Sequence, residues 1–456
     1  MKKLTKEELL RKSKIPGLNA IKMHKFYRGK IEVLPRCQIR DYHDFSIWYS
    51  PGVSAPSSEI FKDKQKVYEY TNKWNSIAIV SDGTRVLGLG DIGPEAALPV
   101  MEGKSLLFKY LGGVDAVPLC IGKETCCDAD QIIEFVKLIQ PSFGGINLED
   151  IEKPKCFSVL DGIRADPEIE IPVWHDDQQG TACVTLAALI NSLRIVGKKK
   201  SEVKIVFNGA GAANFGIFRL LKTDGFNLKK FIFVDSKGIL YKDRTDLRDT
   251  HDYKLELIDF SNPEQLQGDC GIAMEGADIL ISSSIPGPDV IKKEWISKMA
   301  DDAIVFTLAN PIPEIFPWDA LEAGARIVGT GRSDFPNQVN NSLCFPGVFR
   351  GTLDVCAKTI TDEMCIAASY ALANLVDEIK GGLTETCILP TMDYEESFIR
   401  EAVTTGLKAI EQGIARLKLS EEELYSTAKK LIENSQSEFK LLMKEGFIPE
   451  YNDYMK

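Results

Sequence analysis

Two pairs of adjacent carboxylates, Glu149-Asp150 and Asp176-Asp177, end the short apolar runs Ile146-Asn147-Leu148 and Pro172-Val173-Trp174-His175. Each pair therefore sits where a buried strand or loop emerges, not on a solvated helix face. Neighbouring acids repel one another unless a cation or a base compensates them. Hard oxygen ligands with no accompanying Cys or His pattern suit Mg²⁺ or Mn²⁺ better than Zn²⁺. Either pair alone reads as an acidic loop in water. Two pairs just upstream of a nucleotide-binding pattern point to a metal site.

That pattern begins with the strand-like run Val203 to Asn208, turns through Gly209-Ala210-Gly211-Ala212-Ala213-Asn214, and continues as the apolar helix Phe215 to Leu221. Glycines at a strand-to-helix turn let the backbone approach a pyrophosphate, and the helix N-terminus adds amide donors and a favourable dipole. The next strand, Phe231 to Val234, closes on Asp235, some 24 residues after Gly211. That is where an acid meets an adenosine ribose. Gly209, Ala210, Gly211, Ala212, Ala213 and Asp235 are thus candidate cofactor contacts. A lone Gly-x-Gly is often an ordinary tight turn; here the flanking elements make it a dinucleotide site. The third small residue of the fingerprint is replaced by Asn214, so helix–strand packing must differ there.

The elements that position these groups fall into three regions. Residues 1–180 mix short apolar runs with Gly- and Pro-rich turns; Ile77 to Val80 and Ala116 to Cys120 predict strands, and Asp130 to Ile139 has helical spacing. Residues 181–350 alternate strands and helices, with strands predicted at 204–207, 231–234, 278–281, 303–308 and 326–328, the pattern of a parallel sheet covered by helices. Residues 351–456 read as mostly helical. The expected fold is α/β: a Rossmann-like, doubly wound parallel sheet, an N-terminal α/β metal and substrate domain, and a helical C-terminal region.

Composition limits the function classes. The chain has 456 residues, 44% of them hydrophobic and 27% charged, which suits a globular enzyme of two or three domains. A net charge of -11 argues against a nucleic-acid or membrane-surface partner. No uninterrupted apolar run approaches 20 residues, so no membrane span is expected. The N-terminus, Met1 to Lys14, is basic without an apolar signal core and reads as an amphipathic surface helix, leaving the cytoplasm as the expected compartment. Eleven irregularly spaced cysteines, with one adjacent pair, Cys126-Cys127, read as free thiols.

Many further motifs recur in register with those of malic enzymes. They are Tyr49-Ser50-Pro51-Gly52-Val53, Ser81-Asp82-Gly83-Thr84, Gly88 to Gly93, Pro99-Val100-Met101-Glu102-Gly103-Lys104, Asp235-Ser236-Lys237-Gly238, Ala309-Asn310-Pro311, Gly331 to Asp334 and Asn340 to Pro346. Together with both acid pairs they carry a resemblance that covers roughly residues 30 to 400. The chain resembles the short, prokaryotic-type members of that family, without a fused acyltransferase domain. The resemblance implies oxidative decarboxylation of L-malate to pyruvate and CO₂ with NAD(P)⁺, dependent on Mg²⁺ or Mn²⁺, by a homodimer.

It also implies roles. Glu149, Asp150 and Asp177 would be the metal ligands, with two malate oxygens and a water completing an octahedron. Lys104 would be the general base, oriented by Asp176. To act so it must be neutral, although a free lysine titrates near 10.4, so its pKa is expected to fall towards 7 or 8 through burial and a nearby cation. Tyr49 would protonate C3 of the enolpyruvate. Arg85 is placed to pair with a substrate carboxylate, and Asn310 with Asn340 or Asn341 to reach substrate and nicotinamide. His175 would be a core residue.

The cofactor is NADP or NAD. Asp235 favours a ribose hydroxyl, whereas Lys237, Lys242 and Arg244 are near enough in sequence to meet a 2′-phosphate, and the balance tips to NADP⁺. Two other readings stay open: another NAD(P)-dependent hydroxy-acid or amino-acid dehydrogenase without decarboxylation, and a non-catalytic nucleotide sensor.

Overall fold

The computed structural model describes residues 6–122, 127–247 and 252–453, without side chains at 6–14 and 252. Cys126 of the adjacent cysteine pair lies outside them. Two parallel sheets organise the chain. The first has four strands in the order β2-β1-β3-β4: β1 is Ser76–Ser81, β2 Asp115–Cys120, β3 Gly145–Leu148 and β4 Val173–His175. All three pairings are parallel, with Ile77 opposite Ala116 and Gly145, and Leu148 opposite His175. Parallel register places the chain ends that follow β1, β3 and β4 along one edge. Asp82, Glu149-Asp150 and Asp176-Asp177 all emerge there.

The second sheet has the order β10-β9-β8-β5-β6-β7, with β5 Ile205–Asn208, β6 Phe231–Asp235, β7 Gly238–Ile239, β8 Ile279–Ser282, β9 Ile304–Thr307 and β10 Ile327–Thr330. Only β7 runs antiparallel, pairing Asp235 with Gly238. Alternate residues feed two separate cores. Ile205, Phe207, Phe231, Phe233, Ile279, Ile281, Ile304 and Phe306 pack on one face, and Val206, Ile232, Val234, Leu280, Val305 and Val328 on the other. A sheet buried on both faces must be apolar throughout, which is why these strands show as continuous runs in the sequence. Strand order reverses between β6-β5 and β5-β8, so the crevice at their carboxyl ends lies beside the Gly209–Gly211 turn.

The carboxyl-terminal helices Phe345–Asp354, Asp362–Leu375, Glu396–Glu411 and Glu421–Lys444 pack on one another and on the helices Pro94–Gly112 and Thr181–Val196. Phe108, from the helix Pro94–Gly112, meets Phe345 and Phe349 at ring-centroid distances of 4.5 and 5.2 Å. These helices therefore share one apolar core with the metal-bearing half of the chain. The N-terminal helix Lys6–Tyr27 keeps its described side chains half-buried or exposed. One segment, Asp176–Val196, is long and apolar enough by composition to cross a membrane. Yet 72% of its most apolar window is buried inside the fold, so it is a core helix.

Glu401 lies fully buried on the helix Glu396–Glu411, and no N–H or O–H donor among the described residues reaches either carboxylate oxygen. Burial pushes its pKa well above the usual carboxylate range, with the Cys344 thiol as polar neighbour. A raised folded-state pKa means stability is full below the ordinary glutamate range and is lost as pH rises. Glu401→Gln keeps the shape and removes the titration. Thermal unfolding from pH 5 to 8 should therefore show the wild type losing up to about 1.4 kcal/mol per pH unit relative to the variant. A gap independent of pH would show that Glu401 does not carry this penalty.

Candidate active site

Glu149 and Asp150 follow β3, and Asp177 follows the adjacent β4. One ligand atom from each lies within 4.8 Å of the others. Glu149 is oriented by Asn147, whose Nδ2 donates to Glu149 Oε2 at 2.9 Å. Asp150 adopts φ +55°, the left-handed region that Asp tolerates better than most residues. Its amide donates to Asp177 Oδ2 at 3.0 Å, while its carbonyl accepts from the Arg85 amide at 3.0 Å. The buried Asp150 Oδ2 has no hydrogen-bond partner among the described residues. Burial, reinforced by Asp177, pushes the Asp150 carboxyl up to about 8; burial also raises Asp177, and raises Glu149 well above the usual range. Three crowded acids, one with an orphaned oxygen, fit a divalent cation with oxygen ligands.

Lys104 projects from the helix Pro94–Gly112 into the same cluster. Its Nζ lies 2.5 Å from Asp176 Oδ2 and 3.0 Å from Glu149 Oε1, and 4.4 Å from the centre of the Phe345 ring. The expected fall in its pKa is not what this geometry gives. Burial acts downward as anticipated, but the two contacting carboxylates outweigh it and hold the ammonium above its ordinary value. Glu149 is the partner that sequence reading did not foresee. Asp176 is fully buried and is fixed by Trp174, whose Nε1 donates to Asp176 Oδ1 at 2.9 Å. His175 is fully buried and neutral, its pKa lowered to about 4 by burial.

The remaining residues divide. Arg85 is exposed, and its charge reaches Asp177 and Lys153. It stands on the rim of the cluster. A Cβ built on Gly180 would lie 2.0 Å from Asp176 Oδ1 and 3.0 Å from the Asn341 Cβ, which puts Asn341 beside Asp176. Asn340 acts as a cap: its Nδ2 donates to the Gly331 carbonyl and its Oδ1 accepts from the Ser342 amide, both at 3.0 Å. Tyr49 is not brought to the cluster. It is 76% exposed, on the segment that follows Phe45–Trp48.

The dinucleotide turn faces this edge. Gly88 packs so closely on the second sheet that an added Cβ would meet the Asn310 carbonyl at 3.1 Å. Phe157 and Phe215 meet across the junction at 4.6 Å. Asn214 explains its departure from the glycine fingerprint, because its Nδ2 donates to the carbonyls of Asn208 and Gly209 at 3.1 and 2.8 Å. The close approach passes to Gly216, where a Cβ would lie 2.3 Å from the Gln178 carbonyl. Gly211 caps the helix Ala212–Thr223, so the amides of Ala212 and Ala213 open its N-terminus.

Asp235 differs in character from a free ribose acceptor. Oδ1 accepts from Arg244 at 2.8 Å and the Lys237 amide at 2.9 Å; Oδ2 accepts from Arg244 at 3.0 Å and Lys254 at 2.7 Å. A carboxylate has about four acceptor positions, and all four are taken. Although burial opposes its charge, Arg244 and Lys254 hold Asp235 below the usual carboxylate range. Arg244 is itself spent on Asp235, Asp246 and the carbonyls of Gly238 and Ile239. Lys242 lines a cleft of about 450 Å³ with Phe226, Ile258 and Gln265. Sequence reading missed Lys254, and also Glu314, which is fully buried. Glu314 accepts from Ser282 Oγ at 2.9 Å, Ser284 N at 3.0 Å and Ala309 N at 3.2 Å, tying the ends of β8 and β9 beside Asn310. Only its nearness to Asn310-Pro311 could have singled it out.

Comparison with known proteins bears on this pair of facing edges. Residues 28–129 match the sequence model of the malic enzyme N-terminal domain, and residues 178–405 that of the malic enzyme NAD binding domain. The chain belongs to the malic enzyme family. Among family members it is 47% identical over 412 residues to the bifunctional malic/malolactic enzyme of Bacillus subtilis, covering 90% of this chain and 97% of that one. It is 46% identical over 390 residues to the NAD-dependent malic enzyme of Geobacillus stearothermophilus, covering 85% and 78%. The crystal structure of the malic enzyme of Entamoeba histolytica superposes with a TM-score of 0.94 at 46% identity, covering 99% of this chain and 93% of that one. As a malic enzyme, the chain is an oxidoreductase that takes NAD or NADP.

Proposed function

We propose that the protein oxidises and decarboxylates L-malate to pyruvate and CO₂, reducing NAD⁺ or NADP⁺, where the two sheet edges meet. The observation that carries this reading is the convergence of Lys104 with Glu149, Asp150 and Asp177 opposite the dinucleotide turn. Those three acids would hold Mg²⁺ or Mn²⁺. The bound cation would favour negative charge on the substrate oxygens during oxidation and loss of CO₂. A cation on the three acids would offset the Glu149 charge and favour neutral Lys104, which then takes the 2-hydroxyl proton; Asp176, immobilised by Trp174, holds the ammonium so formed. Arg85 and Asn341 stand where they can receive malate carboxylate oxygens.

We infer a preference for NADP⁺, because Asp235 has no acceptor position left for a ribose hydroxyl and its charge is offset by Arg244 and Lys254. We also infer a homodimer. Val33, Tyr42, Tyr49 and Phe61 are all largely exposed within residues 33–61, and exposed apolar side chains of this kind suit a protein–protein contact. A second copy covering that segment would enclose Tyr49, the proposed proton donor to C3, and would double the mass seen by sedimentation equilibrium.

The test is to follow NAD(P)H with L-malate and Mn²⁺ while pyruvate is quantified. We expect pyruvate equal to the nucleotide reduced, loss of both with EDTA, and the higher kcat/KM with NADP⁺. Reduction without pyruvate would overturn the decarboxylation, and a higher kcat/KM with NAD⁺ would overturn the cofactor preference.

A further inference from the structure

We propose that Lys153 is a phosphate ligand for the dinucleotide, delivered to the turn Gly209–Gly211 from the metal-binding half of the chain. Lys153 follows Glu149-Asp150 by a few residues and lies outside residues 178–405, the match to the NAD binding domain. Its Nζ nevertheless donates to the Ala210 carbonyl, at 3.1 Å, in the middle of the turn. Beside that carbonyl the turn is open: a Cβ built on Gly211 would meet no atom within 4 Å.

The electrostatic setting is unusual for a lysine serving only as a strap. Burial lowers its pKa, as do the nearby cations Lys254 and Arg85, with Asp235 acting the other way. Lys254 is already paired with Asp235, whose acceptor positions are full. Among the described residues no carboxylate lies within ion-pair distance of Lys153, and its ammonium donates to a neutral carbonyl. A partly buried ammonium, pressed by two like charges and held against the turn that leads into the helix Ala212–Thr223, is placed for an anion. Backbone amides of such turns receive dinucleotide phosphate. A cation here adds a charge-assisted hydrogen bond to the same group. The inference rests on the dinucleotide site and extends it across the domain junction.

The test is direct titration of the full chain with NAD⁺ and NADP⁺ in the absence of malate, following intrinsic fluorescence at several salt concentrations. Lys153→Gln keeps an N–H donor for the Ala210 carbonyl but loses the charge; Lys153→Arg keeps the charge. We expect Lys153→Gln to raise Kd by about 10- to 100-fold and to weaken its salt dependence, with Lys153→Arg near wild type. Equal losses for both nucleotides would assign the contact to the shared pyrophosphate, and a larger loss for NADP⁺ to the 2′-phosphate. Unchanged Kd in Lys153→Gln, or a loss confined to Lys153→Ala together with a lower Tm, would overturn the proposal and leave a domain strap. Failure of the wild type to bind either nucleotide would overturn the dinucleotide site itself.

Discussion

Lys104→Ala is expected to lower the kcat of malate oxidation by about 100- to 10,000-fold, the range supplied by a positioned general base. Nucleotide binding should be nearly unchanged, since the dinucleotide turn is built from other elements. The variant also strips Asp176 and Glu149 of their shared cation, so a lower Tm alone would not identify a base. Two further readouts separate the roles. Small primary amines should restore part of the rate to Lys104→Ala in their neutral form, which a purely structural lysine would not show. In the wild type, the Asp176 and Glu149 carboxylates raise the Lys104 pKa. The base is active only when deprotonated, so the acid limb of kcat/KM reports the Lys104 pKa in the metal-loaded enzyme, where a cation on Glu149 would oppose the raising effect of the two carboxylates. Asp176→Asn removes the first of the raising charges and should move this limb to lower pH. A Lys104→Ala rate within a few-fold of wild type, or an acid limb that stays in place in Asp176→Asn, would rule out the assignment.

Much of this arrangement is legible in the sequence, and the exceptions have physical causes. Strands buried on both faces announce themselves as β-branched and aromatic runs, so β5, β6, β8 and β9 lie within a residue or two of where the pattern puts them. Strands β4 and β7, of three and two residues, are too short to carry a period. The acid pairs stand out because adjacent carboxylates after apolar runs are costly without a purpose. What the chain order cannot display is which charge meets which. Glu149 as a partner of Lys104, and Lys254 as a partner of Asp235, arise only when separate elements are packed together. Glu401 is hidden for the opposite reason: an acid on an amphipathic helix reads as solvent-facing, yet the helix turns it into the core. The Asp235 position does predict an acid at the end of the second strand. Its saturation by Arg244, Lys254 and the Lys237 amide changes what that acid can do.

Asp177→Asn is expected to weaken Mn²⁺ binding by at least about 100-fold, because changes one shell further out already cost 10- to 100-fold. Malate oxidation at moderate Mn²⁺ should fall with it and recover partly at high Mn²⁺. The substitution preserves size, and the asparagine oxygen can still accept from the Asp150 amide, so the loop should keep its shape. Stability should move the other way. Burial raises the pKa of all three acids, Asp150 to about 8. Raised carboxyl pKa values mean that stability is full below the ordinary carboxylate range and is lost as pH climbs through the folded-state values. Chelated wild-type protein should therefore lose Tm between pH 5 and 8. Asp177→Asn, with one charge fewer in the cluster, should lose less and be the more stable of the two at pH 8. Mn²⁺ should restore the wild type and do little for the variant. Opposite signs for metal affinity and metal-free stability distinguish a lost ligand from a damaged fold, which would lower both. Unchanged Mn²⁺ affinity in Asp177→Asn would remove Asp177 from the metal site.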